Sequence, residues 1–143
     1  MEYSKRIKIL KHSKKCNFYS WDRHNEFIDV ISSKEGVNPG NILTGPGSSD
    51  LLEKVAIVLL RNGGSVISAD PCYMSLINVA IAINANSHLV KLTPEYEHDL
   101  DAMESKINSE TKLIYITNPK NPTGTITDRK KLYAFFSIFI RNI

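Results

Sequence analysis

Short apolar runs alternate with amphipathic segments along the chain from residue 42 onward. Runs rich in aliphatic and β-branched residues are typical of buried strands, whereas apolar residues at helical spacing indicate helices. Strands are predicted over residues 42–44, 65–69, 88–92 and 112–117. Helices are predicted over residues 51–60 and 71–85; a third follows Asp101 and ends at about residue 107, and a fourth begins after Thr127 or Asp128. Because consecutive strand–helix units form right-handed crossovers, this alternation predicts an α/β fold, a three-layer sandwich around a mostly parallel sheet.

A stiff turn follows the last predicted strand, where residues 118–124 read N-P-K-N-P-T-G. Each proline lacks a backbone donor and holds the residue before it extended, while Gly124 can adopt a positive φ. Ligands of open α/β sheets bind at the carboxyl ends of the strands, so this turn can hold the side-chain amide of Asn121 in a fixed direction toward a ligand. The alternative is a proline-rich turn that binds nothing.

A glycine turn, G-P-G-S-S-D over residues 45–50, lies between the first predicted strand and the helix over 51–60. The first N–H groups of a helix have no partner within the helix, and the helix dipole places partial positive charge there. The turn is therefore a candidate phosphate site. The alternative is that the hydroxyl of Ser48 or Ser49 only caps the helix.

These two motifs, in this order, resemble those of the fold-type I pyridoxal-phosphate-dependent aminotransferases of class I and II, and especially the histidinol-phosphate aminotransferase branch. The resemblance extends from residue 19 to residue 132 and implies pyridoxal 5'-phosphate as the cofactor. It implies that Asn121 hydrogen-bonds the phenolic oxygen of the cofactor, with the following Asn–Pro bond often cis. It also implies that the backbone N–H groups of Ser48 and Ser49 hold the cofactor phosphate, with the side chain of Asp50 pointing away.

Two tyrosines are further candidates through the same resemblance. The P-C-Y sequence after the second predicted strand is similar to the P-x-Y of the family, which implies that Tyr73 places its ring against the pyridine ring of the cofactor. Tyr19 lies seventeen residues before Gly36, at the spacing of a tyrosine whose hydroxyl reaches the phosphate bound in the partner subunit. The proline that usually follows this tyrosine is replaced here by Ser20.

The resemblance implies amino transfer between an amino acid or an amino-alcohol phosphate and a 2-oxo acid, by a homodimer in amino-acid metabolism. In the family, the lysine that forms the Schiff base, the aspartate at the pyridine nitrogen and the arginine for the substrate carboxylate all follow the part that this chain resembles. We therefore expect residues 17–143 to form part of the large domain, truncated before that lysine and inactive alone. The alternatives are a frameshifted or non-catalytic remnant, a subunit completed by a separately encoded fragment, and a pyridoxal-phosphate-dependent lyase or decarboxylase.

Charge and cysteine content argue against other classes of protein. The formal net charge is only +3, with basic residues concentrated in an N-terminal arm, residues 1–16. No recognition motif or aromatic interleaving follows this arm, so no nucleic-acid binding is expected. The longest late apolar run, residues 132–140, is too short to cross a membrane, and Cys16 and Cys72 form no metal-binding pair. These features predict a cytoplasmic protein with reduced thiols and no metal.

A polar segment around His98 precedes the third predicted helix. Its carboxylates and His98 could form an acid–base group. Helix capping and compensation of the helix dipole by a polar connection are the simpler interpretation.

Overall fold

The computed structural model of the chain describes residues 21–141. The chain divides into two compact units, residues 1–44 and 45–143. In the first unit, helix α1 (Trp21–Glu35) ends at Gly36, whose φ of +67° suits glycine, and a 3₁₀ turn (Pro39–Asn41) follows. Tyr19 and the basic arm lie outside the described residues.

The second unit contains a parallel three-stranded sheet with helices along the chain between its strands. Its elements are α2 (Ser48–Leu60), β1 (Ser65–Asp70), α3 (Ser75–Ala82), β2 (Asn86–Lys91), α4 (Leu100–Glu104), β3 (Thr111–Tyr115) and α5 (Arg129–Arg141). The strand order is β2-β1-β3, and β1 pairs in parallel with both neighbours. The predicted α/β fold with a parallel sheet is confirmed.

The central strand β1 contributes to a core on each face of the sheet, because successive residues of a strand point to opposite faces. Val66 packs with residues of α2 and α3, including Leu60 and Ile77. Ile67 packs on the other face with Met103 of α4 and residues of β2 and α5. The sheet is thus the middle layer of three, as predicted.

The strand predicted over residues 42–44 is absent. No strand within residues 21–141 pairs with this segment, and Leu43 is 64% exposed. A short apolar run cannot form a strand ladder without a second strand beside it, so the prediction was wrong because the run has no strand to pair with.

Helix α3 begins at Ser75, four residues later than the start that Pro71 suggested. The strand β1 continues through Asp70, which pairs with Lys91. The carbonyl oxygen of Pro71 accepts a hydrogen bond from the Lys120 side chain. It is therefore engaged outside any helix, and residues 71–74 form a connection between strand and helix.

Candidate functional site

A cleft of about 650 Å³ lies at the carboxyl edge of the sheet. Its lining comes from the start of α2, the connection between β1 and α3, helix α3, and the turn after β3. Ser49, Tyr73 and Asn121 all line it, although they come from three distant parts of the sequence. The parallel sheet brings them together because the ends of β1 and β3 lie at the same edge.

The start of α2 offers free backbone donors beside this cleft. The N-cap residue is Gly47, and no side chain caps the helix. The first helical hydrogen bond is donated by the N–H of Leu51, and within residues 21–141 the N–H groups of Ser48 and Ser49 have no acceptor. The interpretation of these serines as hydroxyl caps is therefore wrong, and the helix end can accept an anion.

The carboxylate of Asp50, in the first turn of α2, is paired with a lysine. Its Oδ2 accepts a hydrogen bond of 2.7 Å from Lys54, one helical turn later. A Cβ at Gly45 would lie 2.7 Å from the same Oδ2 and 2.9 Å from a methyl group of Leu51, so a larger residue there would require these side chains to shift. The negative charge in the first turn of the helix is thus paired with Lys54.

Tyr73 is joined to the start of α2 by its hydroxyl group. The phenolic oxygen lies 2.8 Å from Oγ of Ser49, and the residue is 39% exposed. Its ring therefore forms part of the cleft wall beside the free N–H groups.

The turn after β3 holds its two asparagines differently. The side chain of Asn118 accepts a hydrogen bond from the backbone N–H of Thr127 and donates one to the carbonyl oxygen of Thr127, each at 3.0 Å. Asn121 donates only its backbone N–H, to Oγ1 of Thr117 at 3.2 Å, and its side-chain amide has no partner within the described chain. Both Asn–Pro bonds are cis, and Gly124 has the positive φ expected of it, +76°. The free amide is the one that lines the cleft.

Lys120, between the two asparagines, is only 2% exposed. Its Nζ donates to the carbonyl oxygen of Pro71. Burial lowers the pKa of this amine, although Cys72 and Asp70 act in the opposite direction. Lys120 does not line the cleft, and no lysine is among the lining residues in the part of the chain that the structure describes.

His98 is buried, although it lies in the polar segment before α4. Its Nδ1 lies 2.8 Å from Oγ1 of Thr127. Burial, with a smaller contribution from the charge of Lys120, lowers its pKa to about 4. Its neighbour Asp99 does cap α4, accepting from the N–H of Ala102 at 2.9 Å. The polar residues around His98 give no local signal that it is buried.

The cleft combines a helix end for an anion, an aromatic ring and a free amide. Within residues 21–141, no group of histidine, cysteine, aspartate and glutamate side chains could hold a metal ion. No helix in that same range is long and apolar enough to cross a membrane. The groups at the cleft are thus backbone N–H donors, a phenol ring and a carboxamide.

Known proteins share this sequence pattern. The family described as "Aminotransferase class I and II" matches residues 3–142. Histidinol-phosphate aminotransferase 1 of Cupriavidus pinatubonensis is 37% identical over 112 residues, 78% of this chain and 30% of that protein. The protein of the same name from Nitrosococcus oceani is 39% identical over 108 residues, 76% of this chain and 29% of that protein. The chain spans about 30% of the length of these curated relatives.

Solved structures share the fold. The crystal structure of histidinol-phosphate aminotransferase from Sinorhizobium meliloti, in complex with pyridoxal 5'-phosphate, matches with a TM-score of 0.81. The match covers 96% of this chain and 37% of that chain at 20% sequence identity. The α/β fold of this chain thus matches part of the fold of that aminotransferase.

Proposed function

This chain belongs to the class I and II aminotransferase family, and we propose on that premise that its cleft binds pyridoxal 5'-phosphate within a transaminase. The observation that carries the proposal is the convergence of Ser49, Tyr73 and Asn121 on one cleft beside unbonded N–H groups. These residues are far apart in the sequence, and each supplies a different kind of contact that this cofactor needs. The family membership and the shared fold support the same assignment.

The groups of the cleft fit this cofactor. The free N–H groups of Ser48 and Ser49 would hold its phosphate dianion, and the helix dipole strengthens that attraction. The ring of Tyr73 would pack on the pyridine ring, and the amide of Asn121 would hydrogen-bond the phenolic oxygen. When bound, the cofactor supplies an aldehyde and an electron-withdrawing ring, which together permit amino transfer.

The reaction proposed is amino transfer from an amino acid or an amino-alcohol phosphate to a 2-oxo acid. The names of the sequence relatives favour an amino-alcohol phosphate of the histidinol phosphate type. Transamination also requires an amine that moves the α-proton, and no lysine lines the cleft within residues 21–141. We propose that another part of the subunit or a second chain supplies it. The role of Tyr19 across a homodimer stays a prediction.

Binding can be tested with pyridoxamine 5'-phosphate, which has no aldehyde and cannot condense with surface lysines. Isothermal titration of the purified chain should show one site per chain. Ser48→Pro removes one phosphate-binding N–H at the first helical position, where proline is well tolerated. The residue before it, Gly47, has a ψ of 166°, which is compatible with a following proline.

Loss of one hydrogen bond to a charged group should weaken binding about 10- to 100-fold in Ser48→Pro. Ser48→Ala keeps the N–H and removes a hydroxyl group that caps no N–H of the helix, so affinity should change by no more than about twofold. Equal affinities for the two variants would contradict phosphate binding at this helix end. Turnover of histidinol phosphate and 2-oxoglutarate by residues 1–143 alone would contradict the need for a further amine.

A further inference from the structure

Lys120 connects the two segments that carry the side chains of the cleft. Its Nζ donates to the carbonyl oxygen of Pro71, two residues before Tyr73, and Lys120 itself precedes Asn121. The bond therefore joins the connection after β1 to the turn after β3. Within residues 21–141, no other side chain of that turn donates a hydrogen bond to the connection.

Stability alone does not account for an ammonium group in this place. Lys120 is 2% exposed, and no carboxylate of the described chain lies within salt-bridge distance of it. Asp70 and Cys72 favour the charged form only from a longer range, and burial outweighs them. A buried charge without a salt bridge is unfavourable, and an apolar side chain of the same volume often stabilises a protein more. The position of the donor is the property that an apolar residue would lack.

The geometry around Lys120 is suited to fixing a position. Its backbone N–H donates to the carbonyl oxygen of Thr125 at 2.8 Å, and its carbonyl oxygen accepts from Gly124 at 2.7 Å. The side chain thus starts from a closed turn. On the opposite side, Ser49 contacts the hydroxyl of Tyr73 at 2.8 Å. The segment over residues 71–73 is held at its carbonyl end by Lys120 and at its aromatic end by Ser49.

We propose that Lys120 is a positioning residue of the cofactor site, which sets the ring of Tyr73 relative to the amide of Asn121. This inference rests on the proposed binding of pyridoxal 5'-phosphate in the cleft. Lys120 is not among the residues that line the cleft. It acts by fixing the wall before the ligand arrives, so that binding does not have to order the Tyr73 side chain.

Lys120→Met removes the donor and the charge at nearly constant volume. In this variant, binding would have to order the side chain of Tyr73, and that cost should weaken the affinity for pyridoxamine 5'-phosphate about 3- to 10-fold. The midpoint of thermal unfolding should stay the same or rise, because a buried charge is removed. A parallel loss of stability and affinity would reduce Lys120 to a structural residue, and unchanged affinity would also overturn the proposal.

The charge of Lys120 could by itself attract the ligand phosphate, and two controls separate this effect. Lys120→Arg keeps the charge and the donors and should recover part of the affinity. The loss of affinity in Lys120→Met should persist at high salt, because positioning does not depend on ionic strength. A long-range attraction between charges would instead be screened, since the screening length is about 10 Å at 0.1 M salt. A deficit that disappears in salt would replace positioning by long-range attraction and overturn the inference.

A second measurement does not depend on ligand binding. In chain labelled with 3-fluorotyrosine, the fluorine resonance of Tyr73 is identified by its loss in Tyr73→Phe. One sharp resonance is expected in the unsubstituted chain, and a broadened or doubled one in Lys120→Met. If no ligand binds but the resonance responds to Lys120→Met, the proposed function fails while the positioning role stands. An unchanged resonance overturns the positioning role itself.

Discussion

Asn118 and Asn121 occupy equivalent places in the repeated Asn–Pro sequence of one turn, yet their side chains are used in opposite ways. Both are followed by a cis proline. The amide of Asn118 is fully engaged with the backbone of Thr127, whereas the amide of Asn121 is free and lines the cleft. The contrast teaches that hydrogen-bond partners, and not residue type or local sequence, separate a residue that holds the fold from one available to a ligand.

The same contrast applies on a larger scale to the two sides of this turn. On one side lies a network in which the buried side chains of His98 and Thr127 contact each other, and the exposed Asn118 bonds the backbone of Thr127. On the other, the N–H groups of Ser48 and Ser49 have no acceptor in the described chain. Substitutions in the network should therefore change stability, and substitutions beside the cleft should change affinity.

Replacement of Asn118 should give the largest effect. Asn118→Ala removes two hydrogen bonds and leaves polar backbone groups of the buried Thr127 without partners, so the free energy of unfolding should fall by about 2–4 kcal/mol. Asn121→Ala is the matched control, and as a substitution of an exposed residue it should change stability by no more than about 0.5 kcal/mol. Urea unfolding followed by far-UV circular dichroism measures both. Similar losses in the two variants would remove the distinction between the asparagines.

His98 gives the next largest effect, as a dependence of stability on pH. Its pKa falls from 6.5 in the unfolded chain to about 4 in the fold, so between these values the unfolded chain binds a proton that the folded chain does not. The contribution of His98 is fully present above pH 6.5 and is lost as the pH falls toward 4. The difference should reach about 2–3 kcal/mol.

The contribution of His98 can be separated from that of the carboxylates, which titrate nearby. His98→Gln can still hydrogen-bond Thr127 but does not titrate. The slope of unfolding free energy against pH should therefore be flatter in His98→Gln between pH 4 and 6.5, and the two chains should converge at the acid end of the range. Identical slopes would mean that His98 is protonated in the folded chain and that the network is more open than the structure indicates.

The features found from the sequence are those with local causes. The strand β3, the stiff turn after it and the glycine turn before α2 follow from runs of apolar residues and from the backbone limits of proline and glycine. Asp128 caps α5 through the N–H groups of Lys130 and Lys131, one of the two alternatives that the sequence left open. Each of these depends on residues within a few positions of one another.

The features that sequence reasoning missed have distant causes. His98 is buried because it meets Thr127, 29 positions later, and Lys120 because it reaches Pro71, 49 positions earlier. Histidine and lysine are mostly exposed, so composition predicts the opposite of what the fold imposes. The positions of these partners follow from the strand order, which the alternation of strands and helices does not specify.

On the cleft side, Asn121→Ala should change affinity rather than stability. Loss of one hydrogen bond between neutral groups should weaken binding of pyridoxamine 5'-phosphate about 3- to 10-fold. Asn121→Asp sharpens the test, because a carboxylate cannot donate a hydrogen bond to the phenolic oxygen and should weaken binding further. Titration calorimetry beside an unfolding curve for each variant measures both quantities. Unchanged affinity in both variants would mean that the free amide does not reach the ligand.

The smallest effect is expected for the hydrogen bond between the side chains of Ser49 and Tyr73. This bond joins two residues of the chain, as in the network of His98, and both residues also line the cleft. Ser49→Ala, Tyr73→Phe and the double variant form a cycle in which each single change should cost about 0.5–1 kcal/mol of stability. Because both residues lose the same bond, the double variant should cost little more than either single one, giving a coupling of about 0.5 kcal/mol. Additive losses would show that the two hydroxyl groups act separately. In that case the segment that carries Tyr73 would be held mainly by the hydrogen bond from Lys120 to the carbonyl oxygen of Pro71.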